Sequence, residues 1–178
     1  MITGHIFIAT SVDGFIAREN GNIDWLHEID TKNEDHGYVQ FMQNIDAIIM
    51  GRGTFETLSA IRPWVYDIPV LVLSKTLADQ STPTDLIGKV RFVNKTPKEA
   101  MALLENEGCR RVYVDGGRVV QSFIYDALIT DLIITQIPLL LGNGRRLFGD
   151  IPNDIFLQHQ KTKTFPSGFV QSKYIIKR

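Results

Sequence analysis

The sequence predicts an α/β protein with a mixed, mainly parallel central sheet flanked by helices. Apolar runs of strand length alternate with segments of helical periodicity along most of the chain. Several of those runs, IDAIIM and PVLVLS among them, are apolar without interruption, as strands covered on both faces require. The end of the chain differs: DLIITQIPLLLGNGRRLFG and FVQSKYIIKR are joined by a polar segment with no strong helix between them, so antiparallel strands are expected there.

Taken in order, HIFIATSV is the first strand, and the SVDG that follows it favours a tight turn at Asp13. Residues 30 to 44 begin with polar residues and end in a helical pattern whose buried side is Tyr38, Phe41 and Met42. IDAIIM, PVLVLS, VRFV and RVYVD are the next strands. Between the last two, TPKEAMALLENEG announces a helix: Thr96 is the N-cap, Pro97 suits the first turn, Glu99 completes a capping box and Gly108 suits the left-handed terminus. Its apolar stripe is Ala100, Leu103 and Leu104, with Glu107 at the polar margin. A further helix follows Gly116 and Gly117, with Val119, Val120, Phe123, Ile124, Ala127 and Leu128 forming a wide apolar face.

At 178 residues, with 44% hydrophobic and 22% charged side chains, the chain fits one globular domain over 1–178. Nineteen basic against twenty acidic side chains leave a net charge of −1, which argues against a nucleic-acid surface. Its apolar runs are far short of a membrane span, and the start carries no signal-peptide pattern. Cys109 is the only cysteine, which excludes an internal disulfide and fits a reducing compartment; the cytoplasm is expected. The four histidines have no ligand spacing, so no metal site is expected.

Two junctions carry the candidate chemistry. In IIMGRGTFETL a buried strand stops on Gly51, Arg52 follows, and a helix begins with Thr54. In RVYVDGGRVVQSF a second strand passes through Gly116 and Gly117 into a helix that opens with Arg118 and Val119. Each leaves outward backbone N–H groups with the positive end of a helix dipole behind them, an anion site at the carboxyl end of a strand. Two such sites together suit a pyrophosphate. Ser74 and Lys75 follow a third strand, where a hydroxyl and a cation suit a ribose phosphate; NADP is therefore preferred to NAD. Neither GxGxxG nor a P-loop motif is present.

MGRGTFE, LVLSK and VYVDGGRVV, in this order after ATSVDGFIARENG with Trp25 close behind, resemble the dihydrofolate reductase-like superfamily. SVDGFIA together with IPLLLGNGRRLF is more similar to the C-terminal reductase domain of the bifunctional riboflavin-biosynthesis deaminase/reductase. The resemblance runs from residue 2 to the end and implies an NADPH-dependent reductase with an eight-stranded mixed sheet. It puts Ala9, Ile16 and Ala17 near the nicotinamide and Gly51, Arg52 and Thr54 at the phosphates. It puts Leu73, Ser74 and Lys75 at the adenosine end, and Gly116 to Val119 under the pyrophosphate and nicotinamide. Thr135 matches a threonine that faces the substrate ring, and either Asp30 or Asp35 matches the acid that supplies a proton, a substrate or water relay being the alternative.

The substrate implied is a small heterocycle or sugar-amine, most closely 5-amino-6-(5-phosphoribosylamino)uracil, with Arg145 and Arg146 as candidates for its phosphate. Dihydrofolate is the alternative, weakened because no Arg or Lys lies between Pro63 and Ser74 to meet a glutamate tail. A nucleotide-binding protein without turnover is the alternative of another class. Relatives of the riboflavin reductase pair across a two-fold axis, so a homodimer through the C-terminal strands and IPLLLG is expected.

Overall fold

The structure is a computed structural model that describes residues 1–31, 34–151 and 153–177. Its main element is an eight-stranded sheet in the order β5-β4-β3-β6-β1-β7-β10-β9. These are β1 (Thr3–Ser11), β3 (Ala47–Gly51), β4 (Val70–Leu73), β5 (Val90–Val93), β6 (Arg111–Asp115), β7 (Ile129–Ile137), β9 (Leu157–Thr164) and β10 (Val170–Ile176). The strands from β5 through β7 pair in parallel; β10 runs antiparallel to both β7 and β9. A small ribbon of β2 (Phe15–Ala17) and β8 (Arg145–Arg146) stands apart. The mixed sheet with an antiparallel C-terminal end agrees with the sequence.

Alternation along the buried strands divides the core. Ala47, Ile49, Val112 and Val114 pack on one face against α3 (Pro97–Asn106) and α4 (Gly117–Tyr125), through Met101, Leu104, Val120 and Phe123. Ile48, Met50, Val72 and Tyr113 face the other side, where α2 (Arg52–Ser59) contributes Phe55 and α1 (Tyr38–Met42) contributes Phe41. A third cluster joins Trp25 and Ile137 to Phe165 and Phe169 of the β9–β10 turn. Among the described residues no helix is long and apolar enough to cross a membrane.

The helix α3 forms as its sequence dictates. Thr96 accepts the Glu99 N–H while Glu99 reaches back to the Thr96 N–H, a complete capping box. At its other end Gly108 is left-handed (φ 95°), and the Gly108 and Cys109 N–H groups donate to the Glu105 and Leu104 carbonyls as a Schellman motif does. Met101, not the margin at Glu107, completes the buried stripe; Glu107 turns out to grip Arg91 at 2.6–2.7 Å. The helix expected to end near residue 44 is only the five-residue α1, and none of its side chains is fully buried.

The polar segment LQHQKTKT is itself a strand, β9, exposed at all eight positions. Its sequence has no apolar alternation because, as the outermost strand, it packs on neither face. IPLLLG continues past β7 as irregular chain, held by Asp13: the carboxylate accepts the Leu141 and Gly142 N–H groups at 3.1 and 2.7 Å and the Ser11 hydroxyl at 2.6 Å. These bonds, the Ser11 hydroxyl first, hold the Asp13 carboxyl below its ordinary range.

Candidate active site

The two glycine-bearing junctions lie side by side because β3 and β6 are neighbours in parallel, with Met50 opposite Asp115. Each opens a helix whose N-terminus has no side-chain cap: Gly51 precedes α2 and Gly116 precedes α4. The orphan N–H groups of both first turns therefore remain available to a ligand. Gly116 sits at φ 87°, ψ 135°, a region essentially reserved to glycine, and a Cβ there would run into the Thr54 hydroxyl. A Cβ on Gly117 would lie 2.6 Å from the Arg146 carbonyl, and one on Gly51 would lie 3.1 Å from Val119. The backbones of α2, α4 and the β8 turn thus meet closely, with Thr54 locking one helix start to the other.

A groove of about 960 Å³ runs over these helix starts. Gly51, Arg52, Thr54, Leu73, Ser74, Lys75, Gly116, Gly117, Arg118 and Val119 all line it. Five cations against two carboxylates make it positive: Arg52, Lys75, Arg118, Arg145 and Arg146 face Glu19 and Glu56. Arg52 is bound to Glu56 at 3.1 Å and to the Thr76 hydroxyl at 3.0 Å, which aims it along the groove. Ser74 accepts the Leu77 N–H at 3.1 Å and so shapes the turn that carries Lys75.

A smaller cavity of about 230 Å³ adjoins the groove. Ala9, Ile16 and Ala17 line it together with Phe7, Leu26, Tyr113 and Asp115, and Thr54, Gly116 and Gly117 belong to both spaces. Arg145 also stands on their common boundary, its guanidinium wedged beside Gly21 and Gly53 and its Nε donating to the Glu19 carbonyl at 3.2 Å. Arg146 is different: it stacks on Phe15, 4.5 Å from the ring centre, and lines the groove alone.

The carboxyl in the smaller cavity belongs to Asp115, a residue the sequence reading treated only as the end of a strand. Its Oδ1 accepts the Gly116 N–H at 2.8 Å. Loss of hydration pushes its pKa up to about 6, against the lowering effect of the Gly116 and Tyr113 hydrogen bonds. A carboxyl at the last position of a buried parallel strand, where ligands of α/β sheets sit, was the available signal.

Neither Asp30 nor Asp35 lines either space. Asp35 is exposed and spends its carboxylate on the Gly37 N–H at 2.7 Å, forming the turn into α1. Thr135 is buried on β7 beside Ala9 of β1, and its hydroxyl accepts from Gln171 at 2.9 Å rather than lining the cavity. The placement of Asp35 has a long-range origin. The chain from Glu34 to Gly37 is fastened to the β9–β10 hairpin, Glu34 to Ser167 and the His36 carbonyl to Gln171, and so carries Asp35 away from the cleft.

The strand order and the twin helix entrances define a dihydrofolate reductase-like α/β fold. The chain belongs to the RibD C-terminal domain family, whose family model matches residues 3–171. A curated Bacillus subtilis (strain 168) relative, the uncharacterized protein YwjB, is 33% identical over 172 residues, covering 96% of this chain and 95% of that one. The riboflavin biosynthesis protein RibD of Corynebacterium ammoniagenes is 31% identical over 148 residues, 76% of this chain but 43% of its own. Among solved structures, a Shewanella sp. PV-4 protein provisionally assigned to riboflavin biosynthesis superposes with a TM-score of 0.91 at 36% identity, covering 99% of this chain and all 100% of that one. Dihydrofolate reductase from Enterococcus faecalis shares the fold, with a TM-score of 0.69 at 16% identity over 99% of this chain and 97% of that one.

Proposed function

We propose that the protein is an NADPH-dependent oxidoreductase that reduces a small heterocyclic or sugar-amine substrate, 5-amino-6-(5-phosphoribosylamino)uracil being the first compound to test. The observation that carries this reading is the pair of uncapped helix entrances on adjacent strands, opening into one groove with an excess of cations. The residues fit the coenzyme. The first-turn amides of α2 and α4 would hold its pyrophosphate, Ser74 and Lys75 its ribose phosphate, and Ala9, Ile16, Ala17 and Val119 its nicotinamide. Bound there, NADPH supplies the hydride.

The chain's own residues do the rest. The largely apolar cavity keeps water from the reacting atoms, and Asp115 holds a proton for the atom next to the carbon that is reduced. The placement of Arg145 supports a role at an anionic substituent of the substrate, because it is the cation that reaches the small cavity. A homodimer is part of the proposal. Phe156, Leu157 and Ile175 are exposed near one end of the β9–β10 hairpin, where the register sets Leu157 beside Ile176 and Ile175 beside Gln158, and a partner copy would cover these apolar side chains. Sedimentation as a monomer at micromolar concentration would overturn that part alone. A small molecule is the partner proposed, and the cytoplasm is the proposed location.

Calorimetric titration with NADPH and NADH tests the central reading. NADPH is expected to bind at least ~10-fold more tightly, about 1.4 kcal/mol from one charge-assisted phosphate contact. Substrate-dependent loss of the reduced-nicotinamide absorbance is expected with the phosphoribosylaminouracil and only feebly with dihydrofolate. No binding of either coenzyme would sink the proposal; binding without turnover of any candidate would favour a nucleotide-binding protein.

A further inference from the structure

Arg145 leaves the β2–β8 ribbon opposite Ala17, and its Nε donates to the Glu19 carbonyl at 3.2 Å. Asn143 fixes Glu19 in turn, donating to its carboxylate at 2.8 Å. A Cβ on Gly21 would lie 3.0 Å from Nη1, 3.1 Å from Cζ and 3.2 Å from Nη2 of Arg145, so the guanidinium lies flat over that residue. A turn carries Gly21 there, its N–H donating to the Arg18 carbonyl at 2.9 Å. A Cβ on Gly53 would lie 3.0 Å from Nη1. The two glycines thus leave a slot that the guanidinium fills.

Gly53 belongs to the first turn of α2, the positive end of a helix, where a cation is unfavourable. Among the described residues the Glu19 carbonyl is the only acceptor that Arg145 meets, and no ion pair joins it to a carboxylate. The other cations of the groove are placed differently. Arg52 is paired with Glu56, Arg146 is stacked on Phe15, and Lys75 and Arg118 line the groove but not the small cavity. Asp115, the acidic residue of that cavity, accepts the Gly116 N–H on Oδ1. A guanidinium beside a helix N-terminus, with neither terminal nitrogen engaged, is arranged for an anion that both can share. A phosphate carried by the small substrate and one carried by the coenzyme both have that chemistry, and Arg145 stands on the boundary between their two spaces.

We propose that Gly21 and Gly53 are positioning residues that hold the Arg145 guanidinium as a fork for a phosphate monoester on the substrate, and so set specificity for phosphorylated over unphosphorylated compounds. The assignment of that phosphate to the substrate rests on the proposed function; the slot itself is a property of the unliganded protein. Gly53 carries the argument furthest. Glycine is a poor helix former, and alanine would serve α2 better. Apart from its own helix and chain neighbours, Arg145 Nη1 is the one atom among the described residues within 4 Å of an added Cβ. The missing side chain at Gly53 therefore makes room for the cation and for nothing else in the core.

The test follows the Arg145 Nε–H signal by ¹⁵N NMR in the full chain, identified by its loss in Arg145→Gln, with ribose 5-phosphate as the probe and ribose as its uncharged control. In the wild type the signal is expected to move saturably with ribose 5-phosphate, at a midpoint at least about ten-fold below that for ribose, equivalent to one charge-assisted contact. Gly53→Ala is expected to raise the ribose 5-phosphate midpoint about five-fold and to leave the ribose midpoint in place. Its melting temperature is expected not to fall, because alanine is the better helix former. A merely structural role for Gly53 would not give a loss confined to the phosphate. A signal that ignores ribose 5-phosphate, or a Gly53→Ala midpoint equal to that of wild type, overturns the proposal. Repeating the titration with saturating NADP⁺ separates the two phosphates: a response that persists belongs to the substrate, and one that the coenzyme abolishes assigns Arg145 to the coenzyme and overturns the proposal as well. Should NADP⁺ not bind while the ribose 5-phosphate response stands, the coenzyme reading fails and the slot survives.

Discussion

Asp115→Asn is expected to do two opposite things: to slow NADPH-dependent turnover by roughly 10²- to 10⁴-fold, the usual worth of a positioned acid, and to stabilise the fold above neutral pH. The amide keeps an oxygen for the Gly116 N–H, so coenzyme affinity should stay within about two-fold of wild type. The stability effect follows from the sign of the shift. Folding raises this carboxyl from 3.8 to about 6, so the native state is penalised for ionising it. That penalty is absent below about pH 4, grows between pH 4 and 6 and is complete above about pH 6. Removing the charge should then add on the order of 1–3 kcal/mol at pH 8 and almost nothing at pH 4. Melting temperatures at the two pH values check this. Unchanged turnover, or a variant less stable than wild type at pH 8, would remove Asp115 from the proposed mechanism.

Gly116→Ala is the second large effect. The methyl group must adopt φ 87°, which costs about 1–3 kcal/mol in itself, and it meets the Thr54 hydroxyl in the first turn of α2. Both helix entrances are displaced together, so coenzyme affinity should drop about 30-fold or more, equivalent to about 2 kcal/mol. Gly88→Ala is the matched control. It also sits at positive φ (79°), but nothing lies within 4 Å of its added Cβ and it lies outside the groove. It should lose about 1–2 kcal/mol of stability and no affinity. Combining Gly116→Ala with Thr54→Ala relieves the collision but not the backbone strain, and part of the affinity should return. Equal affinities for wild type and Gly116→Ala would mean that the ligand does not sit over these junctions.

These junctions were legible because they are local. Gly51 and Gly116 stand between a buried apolar run and a helical pattern, and whether a strand ends in glycine before a helix is decided within ten residues. That the two meet depends on β3 and β6 being neighbours, which the general rule for α/β sheets anticipates. The proposed acid was not legible in the same way. Counting from Trp25 to Asp30 or back from Gly51 to Asp35 assumes that the intervening chain lies along the cleft. Contacts far apart in sequence, Glu34 to Ser167 and Gln171 to the His36 carbonyl, hold the segment that carries Asp35 on the β9–β10 hairpin instead. Tyr113 was hidden for a related reason: a tyrosine in VYVD reads as strand core, and only its distance to the Phe7 carbonyl gives the hydroxyl a task. The strand β9 escaped notice because an element that buries nothing leaves no apolar pattern to find.

That same outermost strand governs how copies of the protein can meet. Its backbone edge is open, yet Lys161 and Lys163 stand in a run with no apolar side chain after Leu157, so stacking strand upon strand would bring like charges together and bury nothing dry. Endless fibre growth along this border is disfavoured from the outset.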